Sequence, residues 1–150
     1  MIPEFIDIGS PWKVLPPGVY IAVIKEIEVR FATTNYRKYL FSGFKEAISS
    51  LYEAGCNAVF LDGSYITAKP IPGDYDVCWD TEGVNPSKLD PVFRNFSDNR
   101  KEQKLRYYGE FFPIHFLADG VSFFYNFFQI DKYTGKAKGI IKIDLKTIQC

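Results

Sequence analysis

Hydrophobic and polar positions along the chain predict an alternation of short strands and amphipathic helices. Tyr20, Ile24, Ile27 and Phe31 recur at helical spacing with Lys25, Glu26, Glu28 and Arg30 between them, which predicts a short helix. A longer helix follows, with Tyr36, Leu40, Phe44, Ile48 and Leu51 as its apolar stripe, Thr34 or Asn35 as its cap and Gly55 as its stop. Ala58-Val59-Phe60-Leu61 is an apolar run of strand formers that ends in the turn Asp62-Gly63-Ser64-Tyr65. The next stretch, Ala68-Lys69-Pro70-Ile71-Pro72-Gly73, is too rich in Pro and Gly to be regular. In Asp74-Tyr75-Asp76-Val77-Cys78-Trp79 a period of two puts Asp74, Asp76 and Cys78 on one face and Tyr75, Val77 and Trp79 on the other.

The remaining segments are read in the same way. The N-terminus through Pro16-Pro17-Gly18 is irregular and wraps the surface. Asn85-Pro86 reads as an N-cap with Pro at the first helical position, curtailed by Pro91. Residues Ser97 to Arg106 are polar and read as a mobile loop, and Phe111 to Leu117 read as a strand carrying His115. From Val121 to Phe128 the chain is apolar nearly throughout, so periodicity does not decide its type. Ile141, Ile143 and Leu145 alternate with Lys142 and Asp144, a late strand with one solvated face.

Composition narrows the class. A chain of 150 residues with 47% hydrophobic content can bury one sizeable core, and neither a repeat nor a linker divides it, so residues 1–150 read as a single domain. Its 14 Phe, 10 Tyr and 2 Trp are expected mostly in that core. Eighteen basic and eighteen acidic residues cancel, which excludes a global field drawing the protein to nucleic acid or an anionic membrane. Locally, Lys136-Ala137-Lys138-Gly139 offers cations to a polyphosphate or an RNA backbone, or is a solvated loop. Cys56, Cys78 and Cys150 lack the spacing of a zinc site or a disulfide framework. With no signal peptide and no long apolar stretch, the expected location is cytoplasmic, away from any membrane.

The chemistry concentrates between positions 61 and 77. Gly63 lets the backbone approach a ligand without a Cβ, and Ser64 offers a hydroxyl and an N–H to phosphate oxygens. Side chains two apart on a strand are roughly 6–7 Å apart at Cα, a spacing suited to sharing or bracketing hard cations held ~3.5–4 Å from each other. Asp74 and Asp76 therefore read as ligands for Mg²⁺ or Mn²⁺. Without a cation the pair repels and one pKa rises. Lys69, between the two halves of the motif, is a further candidate for a phosphate contact.

At these residues the chain resembles the DNA polymerase β-like nucleotidyltransferase superfamily, whose signature is a hydrophobic residue, Gly, Gly or Ser, a spacer of about this length, and Asp-hydrophobic-Asp. A wider resemblance, to a poorly characterised group of mostly prokaryotic nucleotidyltransferase-like proteins, rests on four segments. These are Leu15-Pro16-Pro17-Gly18, Phe31 with the helix after it, Leu61 through Thr67, and Phe127-Phe128-Gln129 through Lys138-Gly139-Ile140-Ile141. Some members of that group are associated with toxin–antitoxin or phage-defence loci. The resemblance implies an α+β, sandwich-like fold with a mixed β-sheet flanked by helices, and a helix within residues 121–128. It also implies a nucleoside triphosphate held by metal at Asp74 and Asp76 with phosphate contacts from Gly63 and Ser64. The reaction expected is transfer of a nucleoside monophosphate to a hydroxyl of RNA, a protein or a small molecule; a cognate antitoxin or a second copy is an expected partner.

One element of that pattern is missing from this reading. Superfamily members carry a third carboxylate, the base for the attacking hydroxyl, on a strand beside Asp-X-Asp, whereas Phe111 to Leu117 has no acid in its middle. Three residues could fill the gap: His115, and Glu110 and Asp119 at the two ends of the segment, of which the latter two read more readily as strand-end or turn residues. The rival expectation is a catalytically degenerate protein of the same fold that binds nucleotide, RNA or a partner. A third, a small ribonuclease using His115, lacks an arginine at the spacing of common ribonuclease toxins.

Overall fold

The computed structural model describes residues 1–116 and 123–147. Five strands form one mixed sheet: β1 (Val19–Ile21), β2 (Ala58–Asp62), β3 (Tyr75–Trp79), β4 (Gly109–Pro113) and β5 (Ile140–Asp144), in the order β1-β5-β2-β3-β4. The pairs β1–β5 and β3–β4 are parallel, while β5–β2 and β2–β3 are antiparallel. Both edges of the sheet thus carry a parallel strand on an antiparallel centre.

The helices α1 (Ile24–Phe31), α2 (Asn35–Glu53) and α3 (Ser97–Tyr107) contribute to the main core. They meet Val59, Leu61, Tyr75, Val77, Trp79, Phe111, Ile141 and Ile143 from the sheet. On the opposite face Phe60, Cys78, Phe112 and Ile140 form a smaller cluster, covered by Phe124 and Phe128 of the segment containing α4 (Phe124–Phe127). This is the period-two alternation of β3 realised in three dimensions: Tyr75, Val77 and Trp79 pack under helices, and Cys78 faces the second layer.

Local chemistry explains the element boundaries. Thr34 Oγ1 accepts from the Arg37 N–H at 3.1 Å and caps α2. Tyr20, expected in the first helix, lies instead in β1, paired with Ile141. The three residues of β1 could not declare a strand by alternation alone. Asn85-Pro86 opens only a turn, with Asn85 Oδ1 accepting from Ser87, and Pro91 starts a 3₁₀ turn, Pro91–Arg94, rather than ending a helix.

The polar stretch expected as a mobile loop is α3. Its buried face is anchored by Gln103, fully enclosed, which donates to Val92 O at 3.1 Å and accepts from Phe111 N–H at 2.8 Å. A glutamine in this anchoring role leaves little apolar periodicity to read. The first turn of α3 is irregular, with Asp98, Asn99 and Arg100 all in left-handed backbone conformations at φ of 51°, 56° and 61°. The expected helix over residues 121–128 is α4 for its described part; residues 121 and 122 lie outside the described residues, as do Asp119 and Cys150. Among the described residues no helix is long and apolar enough to cross a membrane.

Candidate metal centre and phosphate cleft

The register of the sheet creates a row of acids. Asp62 on β2 lies opposite Asp76 on β3, and Asp76 lies opposite Glu110 on β4. Asp74 immediately precedes β3, and single carboxylate oxygens of Asp74, Asp76 and Glu110 lie within 4.8 Å of one another. Of the three candidates for a third ligand, the structure brings Glu110 to the aspartates. β4 begins at Gly109, two residues before the strand expected from Phe111, and this places Glu110 beside Asp76 within the ladder. The signal was available: Glu110 and Phe112 alternate with Gly109, Phe111 and Pro113. Pro113 sits at the end of an edge strand, where a missing N–H is tolerated.

His115 is elsewhere. It is exposed on the turn after β4, edge-on to Phe123, and lines a separate apolar cavity with Phe60, Ile114 and Tyr125. The structure does not bring it to the carboxylates.

Gly63 is demanded by the geometry of Asp76. Its backbone, at φ 84° and ψ −168°, occupies a region essentially restricted to glycine, and a Cβ there would meet Asp76 Oδ2 at 2.3 Å. The turn and the carboxylate are thus one unit. Gly63→Ala should cost about 2 kcal/mol of stability from backbone strain. It should also displace Asp76, and divalent-metal titration by calorimetry would register a loss of affinity larger than the loss of stability explains.

A buried arginine holds the loop that follows. Arg37 on α2 donates to four carbonyls, those of Phe31, Tyr65, Thr67 and Lys69, at 2.7–3.2 Å, and its guanidinium lies over the Tyr65 ring. Tyr65 returns a bond to Arg37 O at 2.9 Å. Tyr36 on the same helix donates to Gly73 O. Both ends of the spacer are therefore tied to α2. Nothing in the sequence singled out Arg37, because its partners are main-chain oxygens contributed by distant residues.

Charge in the site is finely opposed. Burial first, and then the charge of Asp62, pushes the Asp76 carboxyl well above its ordinary range; it donates a hydrogen bond to Glu110. Burial also raises Asp62, which is fully enclosed and takes only a long contact from the Cys78 thiol, at 3.8 Å. Asp74 is pushed up to about 6 by burial and by Glu110. Glu110 moves the other way: burial would raise it, but the hydrogen bond from Asp76 and the charges of Arg100 and Lys104 hold it low. Arg100 Nε is 3.0 Å and Lys104 Nζ 3.2 Å from the same Glu110 oxygen. Among the described residues, one buried oxygen each of Asp62 and Asp76 has no hydrogen-bond partner. A buried, unpartnered carboxylate oxygen beside two further carboxylates fits a hard divalent cation, which would replace the shared proton.

Asp74, Asp76 and Glu110 line a cleft of about 1060 Å³. Gly63, Ser64 and Lys69 line the same cleft, so all three expected phosphate contacts share one space with Asp74 and Asp76. Lys138 lines it too, its charge acting on Asp62 and Asp131, whereas Lys136 is turned to Ile8 O at 3.0 Å. The far wall comes from the N-terminal segment and residues 126–133. These are clamped together where Ser10 Oγ donates to Asp131 Oδ1 at 3.2 Å.

Comparison with known proteins yields one match. No curated protein and no solved structure matches this chain. Residues 8–144 match the model of a family of unknown function, DUF6932. That span contains every residue of the acidic row, the glycine-serine turn and the cleft wall, and the chain belongs to the DUF6932 family.

Proposed function

We propose that this protein is a metal-dependent nucleotidyltransferase of the DNA polymerase β-like type, transferring a nucleoside monophosphate from its triphosphate to an acceptor hydroxyl. The observation that carries this reading is the convergence of Asp74, Asp76 and Glu110 within 4.8 Å at a cleft also lined by Gly63, Ser64, Lys69 and Lys138. Three carboxylates next to a glycine-serine turn supply both halves of the chemistry: anions for a cation, and donors and cations for a polyphosphate. The mixed sheet with Asp-X-Asp on one strand and an acid on its neighbour supports a nucleotidyltransferase-like fold.

In this reading Ser64 and the adjoining backbone N–H groups orient the β- and γ-phosphates, and Lys69 and Lys138 offset their charge. A bound Mg²⁺ or Mn²⁺ would supply Lewis-acid neutralisation at the phosphate oxygens. Glu110 accepts the proton of the acceptor hydroxyl. The hydroxyl oxygen then forms a bond to the α-phosphorus while the α–β phosphoanhydride bond breaks, and pyrophosphate leaves with the electron pair. Glu110, within metal reach of Asp74 and Asp76, supports the catalytic reading over the binding-only one.

A transfer assay tests the proposal. Each nucleoside triphosphate, labelled at the α-phosphate, is incubated with Mn²⁺ or Mg²⁺ and with total RNA, and separately with cellular protein. Label should move to one acceptor class, fall by roughly 10²–10⁴ in Glu110→Gln, disappear in Asp76→Ala, and persist in His115→Ala. Nucleotide binding without transfer in the wild type would instead establish the binding-only reading.

A further inference from the structure

The cleft has a second half that the phosphate chemistry does not use. Besides the carboxylates, residues 126–133 present Asn126, Phe127, Gln129 and Tyr133 to the same space. Phe127 is 43% and Tyr133 55% exposed, an unusual degree of exposure for aromatic rings in a concave site. The position of Phe127 is not accidental. Phe128 packs on Phe112 with ring centres 5.3 Å apart, and Phe127 stands edge-on to Phe128 at 5.4 Å. Phe112 is two residues from Glu110 on β4. A continuous aromatic ladder therefore fixes the exposed ring relative to the acidic row.

Two amides flank this ring. Gln129 Nε2 donates to Tyr125 O at 3.0 Å, which orients the side chain and leaves Oε1 as an acceptor. Asn126 is exposed, and among the described residues its side chain has no hydrogen-bond partner. The same cleft combines carboxylates with Lys69 and with Lys138, whose backbone N–H donates to Gln129 O. An occupant complementary to these linings has a polyanionic, metal-binding part and a flat, polar-edged aromatic part.

We infer that the wall formed by Asn126, Phe127 and Gln129 is a nucleobase subsite, and that it selects a purine nucleoside triphosphate. The inference rests on the nucleotidyltransferase reading and deepens it. Stacking on Phe127 favours the larger purine ring, because stacking strength follows the area of the π-faces in contact. Gln129 Oε1 accepts from a donor on the base edge, which every base can supply through an exocyclic amino group or a ring N–H, so Gln129 orients the base while stacking sets the preference for a purine. The other candidate for this wall, the acceptor molecule, does not need to fit between the carboxylates and an aromatic surface in one piece.

Calorimetric titration with inorganic triphosphate and with ATP, GTP and UTP, each in the presence of Mn²⁺, tests the inference on the full chain. ATP or GTP should bind at least tenfold more tightly than inorganic triphosphate, and UTP should lack most of that gain. Phe127→Ala should weaken the purine nucleotide tenfold or more while leaving inorganic triphosphate unchanged; Gln129→Leu should weaken each nucleotide and likewise leave inorganic triphosphate unchanged. Because Phe127 is exposed, a folded variant is expected, and an unchanged triphosphate affinity verifies it. If triphosphate binds but the nucleosides add nothing, or if Phe127→Ala leaves every affinity unchanged, the subsite is overturned while the phosphate reading stands. If neither triphosphate nor any nucleotide binds, the phosphate reading itself falls, and this inference with it.

Discussion

Asp76→Asn should make the metal-free protein more stable at pH 8 while eliminating its response to Mn²⁺ or Mg²⁺. The two effects have one cause. Asp76 is enclosed between Asp62 and Glu110 across the ladder, with one carboxylate oxygen buried and unpartnered, so ionising it in the absence of a cation costs both solvation and like-charge repulsion. The folded-state pKa values of Asp62, Asp74 and Asp76 are all raised, by burial first. Such groups lend stability that is fully present below the unfolded carboxylate range and is lost as pH rises through the folded values. For Asp74 that loss is complete just above its folded value of about 6, and for Asp62 and Asp76 it continues to higher pH. Glu110, held low, has the opposite sign, and its contribution is lost only in acid.

The metal-free wild type should consequently melt lower at pH 8 than at pH 5.5. Added Mn²⁺ should close the gap, and metal binding near pH 7 should release protons, measurable as a buffer-dependent heat. Relief of ~1–2 kcal/mol in Asp76→Asn corresponds to a rise of about 2–8 °C in melting temperature for a chain of this size. Thermal melts in chelator and in Mn²⁺ across that pH range decide the matter: an Asp76→Asn variant that melts lower than wild type at pH 8 and still gains stability from Mn²⁺ would refute this account.

Arg37→Met should be the most destabilising single substitution outside the apolar core. Its guanidinium supplies donors to four carbonyl oxygens, and methionine supplies none. Each carbonyl left unpaired costs ~1–3 kcal/mol where water cannot enter, so a total of about 3 kcal/mol or more is expected. That lowers the melting temperature by roughly 6–12 °C. Arg37→Lys should recover little, because a single ammonium cannot span carbonyls from Phe31 to Lys69. A functional consequence should accompany the loss: below its melting range, Arg37→Lys should show weakened inorganic triphosphate binding, since the carbonyls released belong to the loop carrying Tyr65, Thr67 and Lys69. A melting temperature within about 2 °C of wild type in Arg37→Met would show that the loop holds itself.

Much of the site could be read before any coordinate. The motif residues Gly63, Ser64, Lys69, Asp74 and Asp76 were legible because their chemistry is local: a turn needs glycine, and a strand sets its alternate side chains on one face. The helix from Asn35 to Glu53 was legible for the same reason, through its threonine cap and apolar stripe. What failed was where the evidence was not local. β1 is too short to show a period, α3 is anchored by Gln103 and carries left-handed residues in its first turn, and the onset of β4 is two residues before its first aromatic. That small shift made Glu110 read as a strand-end residue and favoured His115, the chain's only histidine, for a place the structure does not give it.

By itself the amino-acid order singled out Gly63, Ser64, Lys69, Asp74 and Asp76 as candidates, and determined the long helix with its cap and stripe and the alternation that splits β3 between two layers. Only the tertiary structure decided that Asp62, Asp76 and Glu110 stand in one row, that Gly63 must lack a side chain because of Asp76, and that Arg37 ties the spacer to α2. Strand order, register and main-chain hydrogen bonds are relations between distant segments, and no pattern inside a single segment encodes which carbonyl or carboxylate will arrive from another.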